Sequence, residues 1–326
     1  MLSIIYNIYY ILEFKLLPYL KNDLFDIVVV GGGINGVGIA RDAAGRGLKV
    51  LLCEKGDLAS ATSSASTKLI HGGLRYLENY EFRLVRESLK ESNILYNSAP
   101  HIISPLKFIL PHNNNIRPYW MIRCGLFLYD HMGKRKNIPK STSVNLNKNL
   151  LGEPLNNFSD KGVIYSDYCA QDARLVVLSA VDANNKGAVI LTRAEAKAAK
   201  VVDGNWQISM SHDGSEKVVN AKLLVNATGP WVNNFIKKSL GREPRQSLKL
   251  VKGSHIIVPK IFTHDHAYIL QIDDGRIIFA IPYENDFTLI GTTEVDFSGD
   301  PKNANISDAE ILYLTGSINK FFKKMI

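Results

Sequence analysis

Near the front of the chain Ile27-Val28-Val29-Val30 is an unbroken apolar run, as expected of a parallel strand buried on both faces. Ile34, Val37 and Ala40 then open a helical spacing that extends to Gly47, and residues 49–54 form a second apolar run ending on Glu54. Phe82, Val85, Leu89 and Leu95 mark a helix over residues 81–97, closed by Pro100. Residues 105–110 read as a strand. Pro118 starts another helix, whose residues 120–129 are apolar nearly all round, either buried or dipped into a membrane. The polar, basic residues 133–149 read as a surface loop. Asp172 opens a helix through Leu175, Val176, Leu178 and Val181, and strands follow at 188–192, 196–202, 206–210 and 223–226. From residue 248 the pattern changes to strands and turns, at 250–259, 267–271, 276–281 and 288–293, resembling an antiparallel sheet. Ser307-Asp308-Ala309-Glu310 is a capping box that opens a last helix.

Residues 1–24 precede this pattern as an N-terminal extension. Its first 12 residues are uncharged, but Glu13 and Lys15 interrupt it well short of the roughly 20 apolar residues that a spanning helix needs. A secretory signal is not expected, because no basic segment and no small-residue cleavage site come before the first strand. A poorly ordered or non-native extension, an interfacial membrane contact and a packed extra helix all remain open. With 326 residues and 46% hydrophobic content the chain can bury a core of one large or two moderate domains, which excludes a disordered or fibrous protein. Cys53, Cys124 and Cys169 stand far apart, so neither a disulfide framework nor a zinc site is expected. The net charge of +8 suits a phosphorylated substrate or an anionic membrane surface, or reflects nothing more than abundant lysine. The basic residues are scattered and no nucleic-acid-binding motif occurs, so nucleic acid is not an expected partner.

The chemistry concentrates at turns. Gly31, Gly33 and Gly36 fit G-x-G-x-x-G between strand and helix, with Glu54 at the end of the next strand. Gly31 permits the tight turn, Gly33 lets backbone approach a pyrophosphate, Gly36 brings helix close to strand, and the helix N-terminus offers N–H groups to the anion. Glu54 is placed to take ribose hydroxyls. Residues 58–68 are small and hydroxyl-rich, able to lie along a phosphate chain. In His71-Gly72-Gly73-Leu74-Arg75-Tyr76 two glycines allow close approach to something flat, flanked by an imidazole, a guanidinium and a phenol. A second glycine corner, Ala227-Thr228-Gly229-Pro230-Trp231, ends the strand 223–226 as the first ends 26–30, so both are expected at the same end of one sheet.

These segments, with Ala61 to Glu78, Asp172-Ala173-Arg174-Leu175, Lys252-Gly253-Ser254-His255 and Ile290-Gly291-Thr292-Thr293, resemble the FAD-dependent glycerol-3-phosphate dehydrogenases. The resemblance implies an α/β fold: an FAD/NAD(P)-binding, glutathione-reductase type Rossmann-like domain from residues 25–105 and 155–235. It implies a helical and loop insertion at 106–154 and an antiparallel-sheet substrate domain at 236–326. That domain is expected to be incomplete, since the family continues with a further arginine, a glycine-glycine-lysine segment and a helical C-terminal domain. The implied reaction oxidises sn-glycerol 3-phosphate to dihydroxyacetone phosphate, with FAD as cofactor and a membrane quinone as acceptor. The expected location is peripheral on the cytoplasmic side of the cell membrane, or cytoplasmic. No metal is implied.

By the same resemblance Gly31, Gly33, Ile34, Asn35, Gly36, Glu54 and Lys55 bind the ADP part, and Ala196 touches adenine through its backbone. Ser63, Ser64, Thr67, Lys68 and Leu69 meet pyrophosphate and flavin, as do His71, Gly72 and Gly73, while Thr228 and Gly229 close over the cofactor. His71, Arg75 and Tyr76 line the substrate pocket. There His71, near its ordinary pKa, either takes the hydroxyl proton or only packs on the flavin, and Arg75 offers a planar fork to phosphate. An oxygen-using oxidase of the same fold and an inactive flavoprotein remnant are the alternatives. A soluble NAD-dependent dehydrogenase would leave the hydroxyl-rich run, His71-Gly72-Gly73 and the second glycine corner without a purpose.

Overall fold

The computed structural model describes residues 24–112, 117–133, 137–156 and 160–326, except the side chain of Arg75. The readings for the extension at residues 1–23 lie outside the described residues. The chain forms two compact units, one from the chain up to Ser66 with Asp172–Leu248, the other from Thr67–Gln171 with Lys249–Ile326.

The first unit begins with β1 (Leu24–Val30), α1 (Ile34–Gly45), β2 (Val50–Cys53) and a 3-10 turn at Thr62–Ser64. The second then takes β3 (Leu69–Ile70), a 3-10 turn at Leu74–Asn79, α2 (Phe82–Ser98), β4 (Ile103–Pro111), α3 (Tyr119–Met132), β5 (Thr142–Asn145) and β6 (Lys161–Ala170). The chain returns to the first with α4 (Asp172–Asn185), β7 (Val189–Leu191), β8 (Ala194–Val202), β9 (Asn205–His212), β10 (Ser215–Asn226) and α5 (Val232–Leu240). It finishes in the second with β11 (Leu250–Lys252), β12 (His255–Pro259), β13 (Ala267–Gln271), β14 (Ile277–Tyr283), β15 (Phe287–Gly291), β16 (Val295–Phe297) and α6 (Asp308–Phe321).

In the first unit a six-stranded sheet runs β7-β2-β1-β10-β9-β8, with β1 parallel to both β2 and β10. Alternate residues of β1 enter different cores. Val28 packs with Leu51 and with Phe235 of α5, whereas Val29 packs with Leu52, Val37 and Ala40 of α1 and Val176 and Ala180 of α4. That is why the run is apolar without alternation: both faces of the strand are covered. Each fully buried valine contributes about 2 kcal/mol.

In the second unit an eight-stranded sheet follows β12-β15-β14-β13-β4-β6-β3, with β5 beside β6. Its ladders are antiparallel except where β13 runs parallel to β4. Helix α3 buries Ile122, Leu126 and Tyr129, while Trp120, Met121, Phe127 and Leu128 lie exposed on its other face. A helix apolar all round therefore has one face in the core and the other in solvent. Among the described residues no helix is long and apolar enough to cross a membrane. The three cysteines are free thiols.

Several boundaries differ from those expected. The compact units part at residues 66 and 172 rather than 105 and 155, because β3 and β4 both pair with β6. The strand expected over 250–259 breaks at Gly253-Ser254 into β11 and β12, which join different sheets. There the Ser254 N–H donates to Thr293 Oγ1 and its hydroxyl to Glu310, so neither bond goes to a ladder. The same contacts end β15 at Gly291, short of residue 293. Within the loop expected at 133–149, residues 134–136 lie outside the described residues, and Thr142–Asn145 is strand β5.

Candidate functional site

The two glycine corners of the first unit interlock. Val30 stands opposite Asn226 in the parallel ladder, and the Ala227 N–H donates to the Val30 carbonyl at 2.8 Å. Both corners thus sit at the C-terminal end of neighbouring parallel strands, the end where open α/β sheets bind ligands. Gly31 has φ +115°, and a Cβ there would lie 2.4 Å from the Ala227 carbonyl oxygen. A Cβ on Gly36 would lie 1.8 Å from the Gly31 carbonyl oxygen. Neither position has space for a side chain.

Donors and acceptors surround this corner. No side chain caps α1 at Gly33, and a helix leaves its first N–H groups without intrahelical acceptors. The Ile34 N–H donates instead to Ser63 Oγ at 3.0 Å, which brings the hydroxyl-rich segment onto the helix N-terminus. Such a hydroxyl retains its own proton to donate to a phosphate oxygen. The Glu54 carboxylate accepts from the Gly32 N–H at 2.6 Å and the Gly56 N–H at 2.7 Å. Each oxygen keeps a second lone pair for a ribose hydroxyl. Thr228 donates to Asn226 Oδ1 through its hydroxyl at 2.7 Å, and the Asn226 amide donates to the Val232 carbonyl, which holds the second corner rigid. Lys55 Nζ lies 4.8 Å from the Trp231 ring centroid. Ala196 is buried in β8 beside a bulge in its ladder with β9. A crowded glycine turn, an uncapped helix N-terminus and an acid on the next strand fit a dinucleotide. Ile34, Asn35, Ser64 and Gly229 belong to the same unit, Ile34 and Asn35 being exposed.

Thr67, Lys68, Leu69 and the segment from His71 to Tyr76 belong to the second unit. The glycines of His71-Gly72-Gly73 are required by the protein's own side chains. A Cβ on Gly72 would lie 2.5 Å from Leu89 and 2.9 Å from the Tyr129 hydroxyl, and one on Gly73 would lie 2.3 Å from the Tyr76 ring. The flat thing expected against them is thus, at least in part, Tyr76 itself. The Gly72 N–H donates to the Tyr129 hydroxyl at 2.8 Å, and the Gly73 N–H donates to His71 Nδ1 at 3.0 Å. His71 keeps a solvent-facing side, yet desolvation by the surrounding protein lowers its pKa, contrary to the expectation of an ordinary value. Tyr76 is 47% exposed. Arg75 lies in the Leu74–Asn79 turn, and its side chain is outside the described residues.

A further imidazole, given no role in the sequence reading, stands in the same unit. His255 Nε2 shares a hydrogen bond of 3.0 Å with the Thr67 hydroxyl, and its ring packs so close to Gly291 that a Cβ there would lie 2.2 Å away. Burial, then the charge of Lys68, lowers the His255 pKa. The segment Lys252-Gly253-Ser254-His255 carried the only sequence signal for it. The preceding residues are fixed by Glu310, which accepts from Lys252 Nζ at 2.6 Å, Ser254 Oγ at 2.8 Å and Thr293 Oγ1 at 2.7 Å.

A family model described as FAD dependent oxidoreductase matches residues 26–326. The chain is 52% identical over 305 residues to a glycerol-3-phosphate dehydrogenase of Pseudomonas aeruginosa, covering 93% of this chain and 59% of that protein. It is 49% identical over 303 residues to a D-erythritol 1-phosphate dehydrogenase of Brucella abortus, covering 92% of this chain and 60% of that protein. The solved glycerol-3-phosphate dehydrogenase of Bacillus halodurans, complexed with FAD, superposes with a TM-score of 0.73 at 29% identity, over 94% of this chain and 55% of that one. The chain thus spans somewhat under two thirds of the length of the curated relatives it matches.

Proposed function

The chain belongs to the FAD dependent oxidoreductase family, and from that premise we propose that it binds FAD at the interlocked glycine corners and oxidises the secondary alcohol of sn-glycerol 3-phosphate to dihydroxyacetone phosphate. The observation that carries the reading is the exclusion of side chains at Gly31 by the Ala227 carbonyl and at Gly36 by the Gly31 carbonyl, a cradle shaped for backbone to approach a pyrophosphate. When bound, FAD supplies a two-electron acceptor for hydride.

On this reading Gly31, Gly33, Ile34, Asn35, Gly36, Ser63 and Ser64 hold the pyrophosphate. Glu54 and Lys55 hold the ADP ribose side, Ala196 the adenine, and Thr228 and Gly229 the closing edge. Thr67, Lys68, Leu69, Gly72 and Gly73 serve the flavin. Arg75 and Tyr76 receive the phosphate-bearing substrate, a planar guanidinium being suited to bidentate phosphate binding. Loss of hydride also requires the hydroxyl proton to leave, and desolvation lowers the pKa of both His71 and His255, which favours their neutral, proton-accepting forms.

The acceptor on this reading is a membrane quinone, and the chain works peripherally at the cytoplasmic face of the cell membrane. The +8 charge and the exposed Trp120, Met121, Phe127 and Leu128 support that location. The erythritol phosphate relative, nearly as similar, favours a second reading in which a longer polyol phosphate is the substrate. To test both, the purified chain is loaded with FAD and titrated anaerobically with glycerol 3-phosphate and, separately, erythritol 1-phosphate. Bleaching of the flavin band by one of them identifies the substrate. A flavin-loaded protein that bleaches with neither rejects the enzyme and leaves the remnant; peroxide formed in air without quinone favours the oxidase.

A further inference from the structure

We propose that His71 is a hydrogen-bond donor through Nε2–H, held in that tautomer by the backbone of Gly73, and that the buried pair Tyr129 and Asp167 is the positioning device that sets this backbone. The argument begins with direction. A backbone N–H has no lone pair to offer, so His71 Nδ1, which receives the Gly73 N–H at 3.0 Å, carries no proton. A neutral imidazole has one ring proton, and it therefore sits on Nε2. The only ring lone pair in this tautomer is the one already taken by Gly73. A proton arriving at Nδ1 would face another N–H, so charging His71 breaks the bond that orients it.

The backbone that imposes this is clamped from the interior. The Tyr129 hydroxyl lies 2.9 Å from both oxygens of Asp167, and a carboxylate can only accept. Tyr129 thus donates to Asp167 and has its own lone pair left for the Gly72 N–H at 2.8 Å. Tyr129 is fully buried and Asp167 is 3% exposed, so water does not compete for this relay. Leu89 presses on Gly72 from the same interior and leaves no volume for a side chain. The relay runs from the strand Lys161–Ala170 through the helix Tyr119–Met132 to the turn after Leu69–Ile70. Desolvation, which lowers the His71 pKa, favours the same neutral ring. A fixed neutral donor stabilises electron-rich atoms at a reacting centre without spending a proton. With His71 held as a donor, His255 is left as the proton acceptor, and that assignment alone rests on the glycerol phosphate reading.

The experiment is a long-range 1H–15N correlation spectrum of the full chain labelled at histidine, with His71 assigned by its loss in His71→Gln. The expected wild-type spectrum shows His71 with Nε2 protonated and Nδ1 bare from pH 6 to 8. A His71 protonated at Nδ1, or one that charges within that range, overturns the tautomer. Tyr129→Phe is expected to convert the single signature into an exchanging mixture with an unchanged far-ultraviolet spectrum; an unaltered His71 signature overturns the positioning role. Should Tyr129→Phe not fold, Asp167→Leu decides, because it removes the acceptor that orients the Tyr129 hydroxyl: an exchanging mixture is expected, and an unaltered single tautomer overturns the relay. In a chain that bleaches with substrate, His71→Gln, which keeps a donor, is expected within about tenfold of wild-type turnover, and His71→Leu at about a hundredfold loss. Equal losses in the two variants overturn the donor role. These spectra are readable without turnover, so an inactive chain rejects the proposed reaction and leaves the tautomer to be decided separately.

Discussion

Gly36 and Gly38 lie two residues apart in α1 and are opposite cases. A Cβ on Gly36 would be 1.8 Å from the Gly31 carbonyl oxygen, whereas one on Gly38 meets nothing within 4 Å. Gly36→Ala forces helix and strand apart, at about 3 kcal/mol and with loss of the cradle's geometry. Gly38→Ala only removes the entropy cost of a mid-helix glycine and is expected to stabilise by about 0.5–1 kcal/mol. Thermal unfolding together with flavin content checks the pair. Equal effects at the two positions would mean that the corner does not depend on close packing. The glycine pattern was legible in the sequence; which glycine touches which carbonyl was not, since Gly31 meets Ala227 across nearly the whole first unit.

Helix α6 joins a signal visible in the sequence to one that is not. Its capping box is formed, with Ser307 Oγ accepting from the Glu310 N–H and Glu310 accepting from the Ser307 N–H. The same carboxylate is buried and also receives Lys252, Ser254 and Thr293, which no local pattern reveals. Burial by itself raises the Glu310 carboxyl, but Lys252 Nζ, the Ser307 N–H and the Thr293 and Ser307 hydroxyls outweigh it and hold the pKa well below its ordinary 4.5. A lowered folded pKa means that the stabilisation is fully present above the unfolded value and is lost as pH falls below it. Denaturant midpoints are therefore expected to hold from pH 7 to about 5 and to drop below pH 4.5, with Glu310→Ala removing that part of the acid dependence. The substitution takes the carboxylate from half-buried Lys252, which keeps the Asn305 carbonyl, and removes the acceptor of the buried Ser254 and Thr293 hydroxyls, so it is expected to cost about 3 kcal/mol. A midpoint unchanged by Glu310→Ala would reduce the carboxylate to a helix cap.

At the scale of the whole molecule, the +8 charge and the exposed apolar face of α3 bear on where the chain works. An interfacial helix needs apolar anchors and gains from anionic headgroups, by about 1 kcal/mol for each basic group near the surface. Co-sedimentation with anionic vesicles at low salt, weakened at high salt, is the expected result. Trp120→Ser with Phe127→Ser is expected to lower binding by about a hundredfold or more, since each aromatic anchor contributes about 1.5–3 kcal/mol on burial. A chain that stays in solution under all these conditions would place the α3 face against something other than lipid. The apolar positions of α3 were visible in the sequence, but which face is buried depends on β4, β6 and the sheet they join.

The sequence by itself determined the local elements and the chemistry of the glycine corners, because apolar period, capping and glycine spacing are properties of neighbouring residues. Even there it joined β11 to β12, since the bonds that separate them come from Thr293 and Glu310. Only the tertiary structure decided that Tyr129 reaches Gly72 and Asp167, and that His255 reaches Thr67 across 188 positions. Such contacts leave no periodic trace in the chain: they exist because two stretches far apart in sequence complete the same sheet, and the hydrogen bonds that set the state of His71 follow from that closure.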